Sequence, residues 1–367
     1  MGPENTNRKA PVRVLIVDDS AFNRQTIATL LTEAGLQIVG RAGDGEEALR
    51  LAFQLQPDVI TLDLEMPRMD GFAFLRLIMA RQPTPVIVIS SNASKENVFK
   101  ALELGALDFV AKPQRQISSD LLTIKDELIA KVQLVTQLRM VALTDRASAK
   151  MLNTTGQIPA ITGKPTATTA MVTRVVAIGA STGGPPAITQ ILGSLDPTFP
   201  AAVLVTQHMP TKFTRAFAER LDRVTNFRVR EAEAGDVLTL GTVLIAPGNG
   251  SLQLRRSSPT EPLRVDIIPG NSSNYTERFV PSVDRMLESA AQALGPNVLG
   301  VILTGMGGDG VRGAKAVREK GGRMIVESQE TAIIFGMPGE AIASGAVDEI
   351  LPLPKIADAI LRFGRRQ

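Results

Sequence analysis

The chain has 367 residues, 44% hydrophobic and 21% charged, the composition of an ordinary soluble globular protein long enough for two domains. Its 40 basic and 37 acidic residues leave a net charge of only +3, and 4% aromatics offer little to stack on bases, so nucleic acid is not an expected partner. The absence of cysteine removes disulfides and thiolate chemistry and fits a reducing cytoplasm, while a single histidine, His208, leaves one imidazole for proton transfer near neutral pH.

The polar start, MGPENTNRKAP, lacks the apolar run of a secretory signal. Met1-Gly2 followed by Thr6 matches the loose myristoylation pattern, but Pro3 and the want of a second membrane signal favour coincidence. From residue 12 to about 113 the runs VRVLIV, LQIVGRAG, PDVITLDL, PVIVIS and DFVAKP read as strands. Helical patterns such as Ala21 to Glu33 and Gly71 to Ala80 lie between them, so a parallel sheet with helices on both faces is expected. Leu121, Ile124, Leu128, Val132 and Val135 then keep helical spacing over roughly 118–140. The stretch TDRASAKMLNTTGQIPAITGKPTATTAM has no periodicity and reads as a linker.

A second strand–helix alternation opens with RVVAIG and continues through AAVLVTQ, NVLGVILT and GRMIVE. Its longest uncharged run, Val175 to Leu195, is broken by Gly179, Gly183, Gly184, Pro185, Pro186 and Gly193, so it reads as strand, turn and helix and no membrane insertion is expected. GSLQLRRSSPTEPLRVDII reads as a β-hairpin bent at Ser257 to Pro262. The expected fold class is α/β, with two doubly wound parallel-sheet domains. The first is flavodoxin-like over 11–135, a helix end and flexible linker follow over 136–172, and the second is Rossmann-like with an added β-hairpin over 173–367.

Ligands of open α/β sheets bind outside the carboxyl ends of the strands. In the first domain Asp18 and Asp19 follow the first strand, Asp63 the third, Ser90 ends the fourth and Lys112 the fifth. Converging carboxylates repel unless a hard cation lies among them, and Mg²⁺ prefers oxygen ligands. A carboxylate also accepts a phosphoryl group as an acyl phosphate, whose oxygens Mg²⁺, a hydroxyl and an ammonium neutralise. One aspartate alone would read as a surface acid; five such residues at strand ends do not. The residues VDDS at 17–20, DLEMPRMDG at 63–71, ISS at 89–91 and DFVAKP at 108–113 resemble the receiver domain of two-component response regulators. The resemblance implies Asp63 as phospho-acceptor and Mg²⁺ held by Asp18, Asp19, Asp63 and the Glu65 carbonyl. It further implies Ser90, Phe109 and Lys112 as switch residues and a sensor histidine kinase as phosphodonor.

In the second domain VVAIGASTGGPPAI sets Ser181 on a strand-to-helix turn, and GASTG satisfies the G-x-S-x-G pattern of a nucleophile elbow. The helix N-terminus after it offers N–H groups to a developing oxyanion, though such a turn equally cradles a phosphate. His208 follows the next strand, and Asp309 follows NVLGVILT and a glycine-rich loop. Singly they read as a packing histidine and a helix N-cap; at corresponding strand ends with Ser181 they read as base and orienting acid. The order Ser…His…Asp differs from that of the α/β-hydrolases, so that fold is not implied.

GASTGG, TQHMP, IAPG, PSVD, LTGMGGDG and FGMP behind a receiver-like domain are similar to the chemotaxis response-regulator protein-glutamate methylesterases, the CheB family. The resemblance implies Ser181 as nucleophile, His208 as general base and Asp309 as orienting acid, with Thr182 and Met306 lining the site, Met306 through its backbone N–H. It implies a cytoplasmic, monomeric, phosphorylation-activated hydrolase that needs no cofactor for the esterase. The substrate would be glutamate methyl esters on chemoreceptor helices, with receptor glutamine deamidation in some members. Independently of the resemblance, two modules joined by a helix and a linker of roughly 30 residues lead to the expectation that the receiver docks over the Ser181 edge until phosphorylated. Two departures stand out: Ser251 lies where a histidine is expected after IAPG, and TERFV precedes PSVD where an arginine beside the proline is expected. The competing readings are a non-catalytic signalling adaptor and a phosphate- or nucleotide-binding output module built on GASTGG.

Overall fold

The computed structural model describes residues 10–91, 95–112, 124–138, 171–196, 198–256, 258, 260–273 and 275–365. They fall into two compact units, one within residues 1–140 and one within 141–367. Most of the expected linker, and the first turns of the helix read over 118–140, lie outside the described residues.

The first unit holds β1 (Arg13–Val17), α1 (Ala21–Glu33), β2 (Gln37–Ala42), α2 (Gly45–Leu55), β3 (Val59–Leu62), α3 (Gly71–Arg81), β4 (Val86–Ser91), α4 (Lys95–Glu103), β5 (Asp108–Lys112) and α5 (Lys125–Gln133). Its strands order β2-β1-β3-β4-β5 and every neighbour is parallel, the flavodoxin-like arrangement. The central strands β1 and β3 are buried almost throughout, Thr61 included, because helices cover both of their faces, whereas edge strand β2 is half-buried. Local capping starts the helices where the strand-end loops finish. The Ser20 hydroxyl accepts from Asn23 N–H, Asp44 from Glu46 and Glu47, and Asp70 from Ala73. The strand order reverses between β1 and β3, so Asp18, Asp19 and Asp63 border one crevice.

The second unit holds β6 (Val175–Ala180), α6 (Gly184–Ser194), β7 (Ala202–Gln207), α7 (Thr211–Val224), β8 (Arg228–Glu231), β9 (Thr242–Ile245), β10 (Gly250–Arg255), β11 (Arg264–Pro269), α8 (Val283–Leu294), β12 (Val298–Ile302), α9 (Val311–Glu319), β13 (Arg323–Glu327), α10 (Gly336–Ala343), β14 (Glu349–Leu351) and α11 (Leu353–Gly364). Seven strands form one parallel sheet in the order β14-β13-β12-β6-β7-β9-β8. The sheet grows from β6 in both directions, so crossovers of the usual right-handed kind would place helices on both faces. The hairpin forms a separate antiparallel pair, β10 on β11, registered from Gly250↔Pro269 to Arg255↔Arg264. Its Leu252, Leu254 and Val265 join Met286, Leu287 and Ala290 of α8 in one buried cluster, and Leu254 N–H donates to Ser289 Oγ at 3.0 Å.

The glycine of IAPG shows how tightly the loops after these strands pack. A Cβ on Gly248 would stand 2.5 Å from the backbone N and Cα of Thr211 and 2.7 Å from the Met209 carbonyl oxygen. Backbone atoms cannot swing aside, so Gly248→Ala is expected to cost about 1–3 kcal/mol. Urea unfolding should show this as a lower midpoint with an unchanged slope.

Candidate active site

In the second unit β6 lies between β7 and β12, so the residues after these three strands meet at one edge. His208 N–H donates to the Ala180 carbonyl at 3.0 Å, Ser181 N–H to Thr304 at 3.0 Å and Leu303 N–H to Gly179 at 2.9 Å. Winding reverses between β6 and β12, the place where a doubly wound sheet opens a crevice. Ser181 sits there, half-buried, immediately before the turn into α6. A Cβ on Gly305 would lie 2.7 Å from Ser181 Cβ, so only glycine lets the loop that carries Met306 press against the serine. Thr182 is buried, and its carbonyl accepts the Thr304 hydroxyl at 2.9 Å. The Gln207 amide donates to the Ser181 carbonyl at 2.9 Å and the His208 carbonyl at 3.1 Å, tying the two strand ends together.

His208 Nε2 lies 2.7 Å from Asp309 Oδ2. Asp309 does not cap its own helix, whose N-cap is Gly310. It sits instead at the N-terminus of α8, accepting Val283 N–H at 2.8 Å, Asp284 N–H at 3.0 Å and the Ser282 hydroxyl at 3.1 Å. Asp284 returns the arrangement, accepting Gly310 N–H at 2.9 Å and Gly313 N–H at 2.8 Å at the start of α9. Burial pushes the Asp309 carboxyl up, but the His208 hydrogen bond and charge, with the N–H groups of Asp284 and Val283, hold it below the usual carboxylate range. An ionised Asp309 only accepts, so Nε2 carries the proton and Nδ1 is the nitrogen left to act as a base. The Phe279 ring stacks on the imidazole with centroids 4.8 Å apart and planes 9° from parallel. The sequence motifs assign no role to Gln207, Phe279, Ser282 or Asp284, although PSVD and TQHMP contain three of them.

At the first unit's edge Lys112 Nζ donates to Asp18 Oδ2 at 2.9 Å and forms a short ion pair with Asp63. Asp18 Oδ1 accepts Ser20 N–H at 2.9 Å, and Asp63 Oδ1 accepts Glu65 N–H at 3.2 Å. Asp18, Asp19 and Asp63 each offer a carboxylate oxygen within 4.8 Å of the others, a donor set that suits a hard divalent cation. Burial pushes the Asp63 carboxyl up, against Lys112 and with help from the Asp18 charge. Burial pulls Lys112 down, but Asp63 and Asp18 outweigh it and hold the ammonium above its usual value. Ser90, buried, is the last residue but one of β4, and Phe109, also buried, opposes Val88 across the β4–β5 pair.

A flavodoxin-like sheet with an acidic cluster and lysine, together with a doubly wound domain bearing serine, histidine and aspartate at adjacent strand ends, defines a response regulator with an enzymatic output domain. Residues 14–122 match the response regulator receiver domain, and residues 176–360 match the CheB methylesterase. A protein-glutamate methylesterase/protein-glutamine glutaminase of Geobacter sulfurreducens is 47% identical over 364 residues, covering 96% of this chain and 97% of its own. One from Myxococcus xanthus is 45% identical over 361 residues, covering 98% and 99%. The crystal structure of the Thermotoga maritima CheB methylesterase catalytic domain shares 39% identity at a TM-score of 0.48, covering 52% of this chain and 97% of that one. The chain belongs to the CheB methylesterase family.

The exchanged helix caps carry a pH signature. Burial pushes the Asp284 carboxyl up to about 6, the Asp309 charge adds to this, and the Gly313 and Gly310 N–H groups with Arg312 oppose it. The folded state therefore holds a proton that the unfolded state has released, and this group's contribution to stability falls as pH rises from about 4 to about 6. Asp284→Asn keeps an acceptor for the Gly310 and Gly313 N–H groups and removes the charge. It is expected to be more stable than wild type above pH 6 by about 1–3 kcal/mol, with the gain vanishing near pH 4. Denaturant unfolding of both proteins across that range checks it.

Proposed function

We propose that this family member hydrolyses methyl esters of protein glutamate side chains through Ser181, His208 and Asp309, under control of phosphorylation at Asp63. The observation that carries the reading is the 2.7 Å bond from His208 Nε2 to Asp309, on the strand next to the one that ends at Ser181. With Nε2 committed to the carboxylate, Nδ1 takes the proton from Ser181 Oγ as that oxygen attacks the ester carbonyl. The N–H groups at the start of α6 and the backbone N–H of Met306 receive the oxyanion, beside Thr182. The imidazolium gives its proton to the leaving methoxide, and methanol departs. A water then loses its proton to Nδ1, attacks the acyl-enzyme, and releases glutamate and the free serine. The same cycle on a glutamine amide expels ammonia, in keeping with the glutaminase named in the relatives. The esterase chemistry asks for no cofactor.

The substrates in this reading are methylated helices of chemoreceptors in the cytoplasm. Among the described residues no helix is long and apolar enough to cross a membrane. The division into a receiver over 11–135, a linker over 136–172 and a catalytic domain over 173–367 belongs to the same proposal, as does a monomeric state. In the receiver Asp63 accepts the phosphoryl group from a sensor kinase's phosphohistidine. Asp18, Asp19, Asp63 and the Glu65 carbonyl would hold Mg²⁺, which supplies charge neutralisation when bound. Lys112 and the Ser90 hydroxyl meet the phosphoryl oxygens, and Phe109 responds.

Ser181→Ala and His208→Gln are each expected to lower methanol release from methylated receptor membranes by roughly 10⁴–10⁶-fold while remaining folded. No second histidine exists to replace His208, so an active His208→Gln enzyme would refute the triad. Radiolabelled acetyl phosphate with Mg²⁺ should label the wild type and leave Asp63→Asn unlabelled. Acetyl phosphate should also raise methanol release only in the wild type; equal labelling would place the acceptor elsewhere.

A further inference from the structure

Phe279, the ring stacked on His208, belongs to the segment between β11 and α8, and that segment is held by hydroxyls outside the triad. Ser282 N–H donates to Ser251 Oγ at 2.8 Å, Ser251 Oγ and Tyr275 Oη lie 2.6 Å apart, and Tyr275 Oη donates to the Phe279 carbonyl at 2.5 Å. An N–H only donates and a carbonyl only accepts, so the ends of this chain set its direction. It runs from Ser282 N–H to Ser251, from the Ser251 hydroxyl to Tyr275, and from the Tyr275 hydroxyl to the Phe279 carbonyl. Each hydroxyl accepts once and donates once. Ser251 is fully buried on β10, so the relay binds the 275–282 segment to the hairpin. Ser282 also gives its own hydroxyl to Asp309, so both partners of the imidazole, Asp309 and Phe279, are tied to one network. Burial pushes the Tyr275 phenol up, which keeps it a neutral donor across the range in which an esterase would be assayed.

Histidine χ2 is a broad torsion, and one hydrogen bond to a carboxylate leaves the imidazole plane free to tilt. A flat ring packed parallel to it removes that freedom. We propose that Tyr275 and Ser251 are positioning residues for His208, acting by fixing Phe279 against the imidazole so that Nε2 stays on Asp309 and Nδ1 stays turned toward Ser181. This rests on His208 being the base.

The test uses the full chain and the fact that His208 is its only histidine and Tyr275 its only tyrosine. With ¹⁵N-histidine labelling every imidazole nitrogen signal belongs to His208. In Tyr275→Phe and in Phe279→Leu, kcat for methanol release is expected to fall about tenfold with KM within about twofold. The ¹⁵N shifts should move from a pure Nε2–H tautomer toward an average of both. Phe279→Tyr, which keeps the flat ring, should retain wild-type kcat and shifts. Thermal unfolding of each variant identifies any that fail to fold, and Ser251→Ala, which breaks the relay at its other hydroxyl and is expected to show the same fall in kcat and shift change, carries the test if Tyr275→Phe is one of them. Unchanged shifts or an unchanged kcat in the folded variants overturns the positioning role. An active His208→Gln enzyme overturns the triad instead, so the two failures are distinguishable.

Discussion

The esterase edge depends on one exchange of carboxylates between two helices. Asp309 lies at the start of α9 in sequence but caps α8, and Asp284 lies in α8 but caps α9. Each helix N-terminus has orphan N–H groups and a positive end; each receives a carboxylate from beside or within the other helix, and at α8 the Ser282 hydroxyl accepts a further N–H, that of Arg285. This arrangement makes a buried aspartate tolerable so close to a histidine. Against its burial, His208 and, after it, the backbone donors of Asp284 and Val283 hold Asp309 below the usual carboxylate range, and an ionised Asp309 sets which nitrogen of His208 carries the proton. Gln207 supplies the remaining constraint by joining the Ser181 and His208 carbonyls with one amide.

The strand ends themselves are legible in the order of the amino acids. In a parallel sheet the residue after a strand comes to the carboxyl edge, so Asp18, Asp63, Ser181 and His208 follow directly from the apolar runs that precede them. Asp309 is found for the same reason, but its reading as an N-cap of the following helix is half right: it is a cap, of a different helix. No local pattern distinguishes these cases, because the choice is made by packing between α8 and α9.

The features that sequence patterns miss involve partners distant in the chain or elements too short for periodicity. The strand β8, RVRE, carries three charges at a sheet edge, and β14 has three residues, so neither offers a convincing apolar run. The insertion of β9 between β7 and β8 is a matter of topology that no window of sequence contains. Phe279 reads as one more apolar residue in an atypical stretch, yet it lies flat on the sole imidazole. Ser251 stands out in the sequence only as the absence of an expected histidine; in the fold it is a buried hydroxyl bonded to Tyr275 and to the backbone of Ser282.

The acidic edge of the first unit has a consequence that lies in its charge balance. By formal charge, three carboxylates and one ammonium leave an excess of two negative charges in a half-buried crevice. One divalent cation would offset that excess, and a phosphoryl group on one of the carboxylates would make the edge negative again. Lys112 is already engaged by Asp18 and Asp63, so a new anion does not recruit a free cation but competes for one that is shared. In the proposed function a phosphoryl group at that edge would redistribute a single ammonium among rival acceptors, and it is the fifth strand that carries this ammonium.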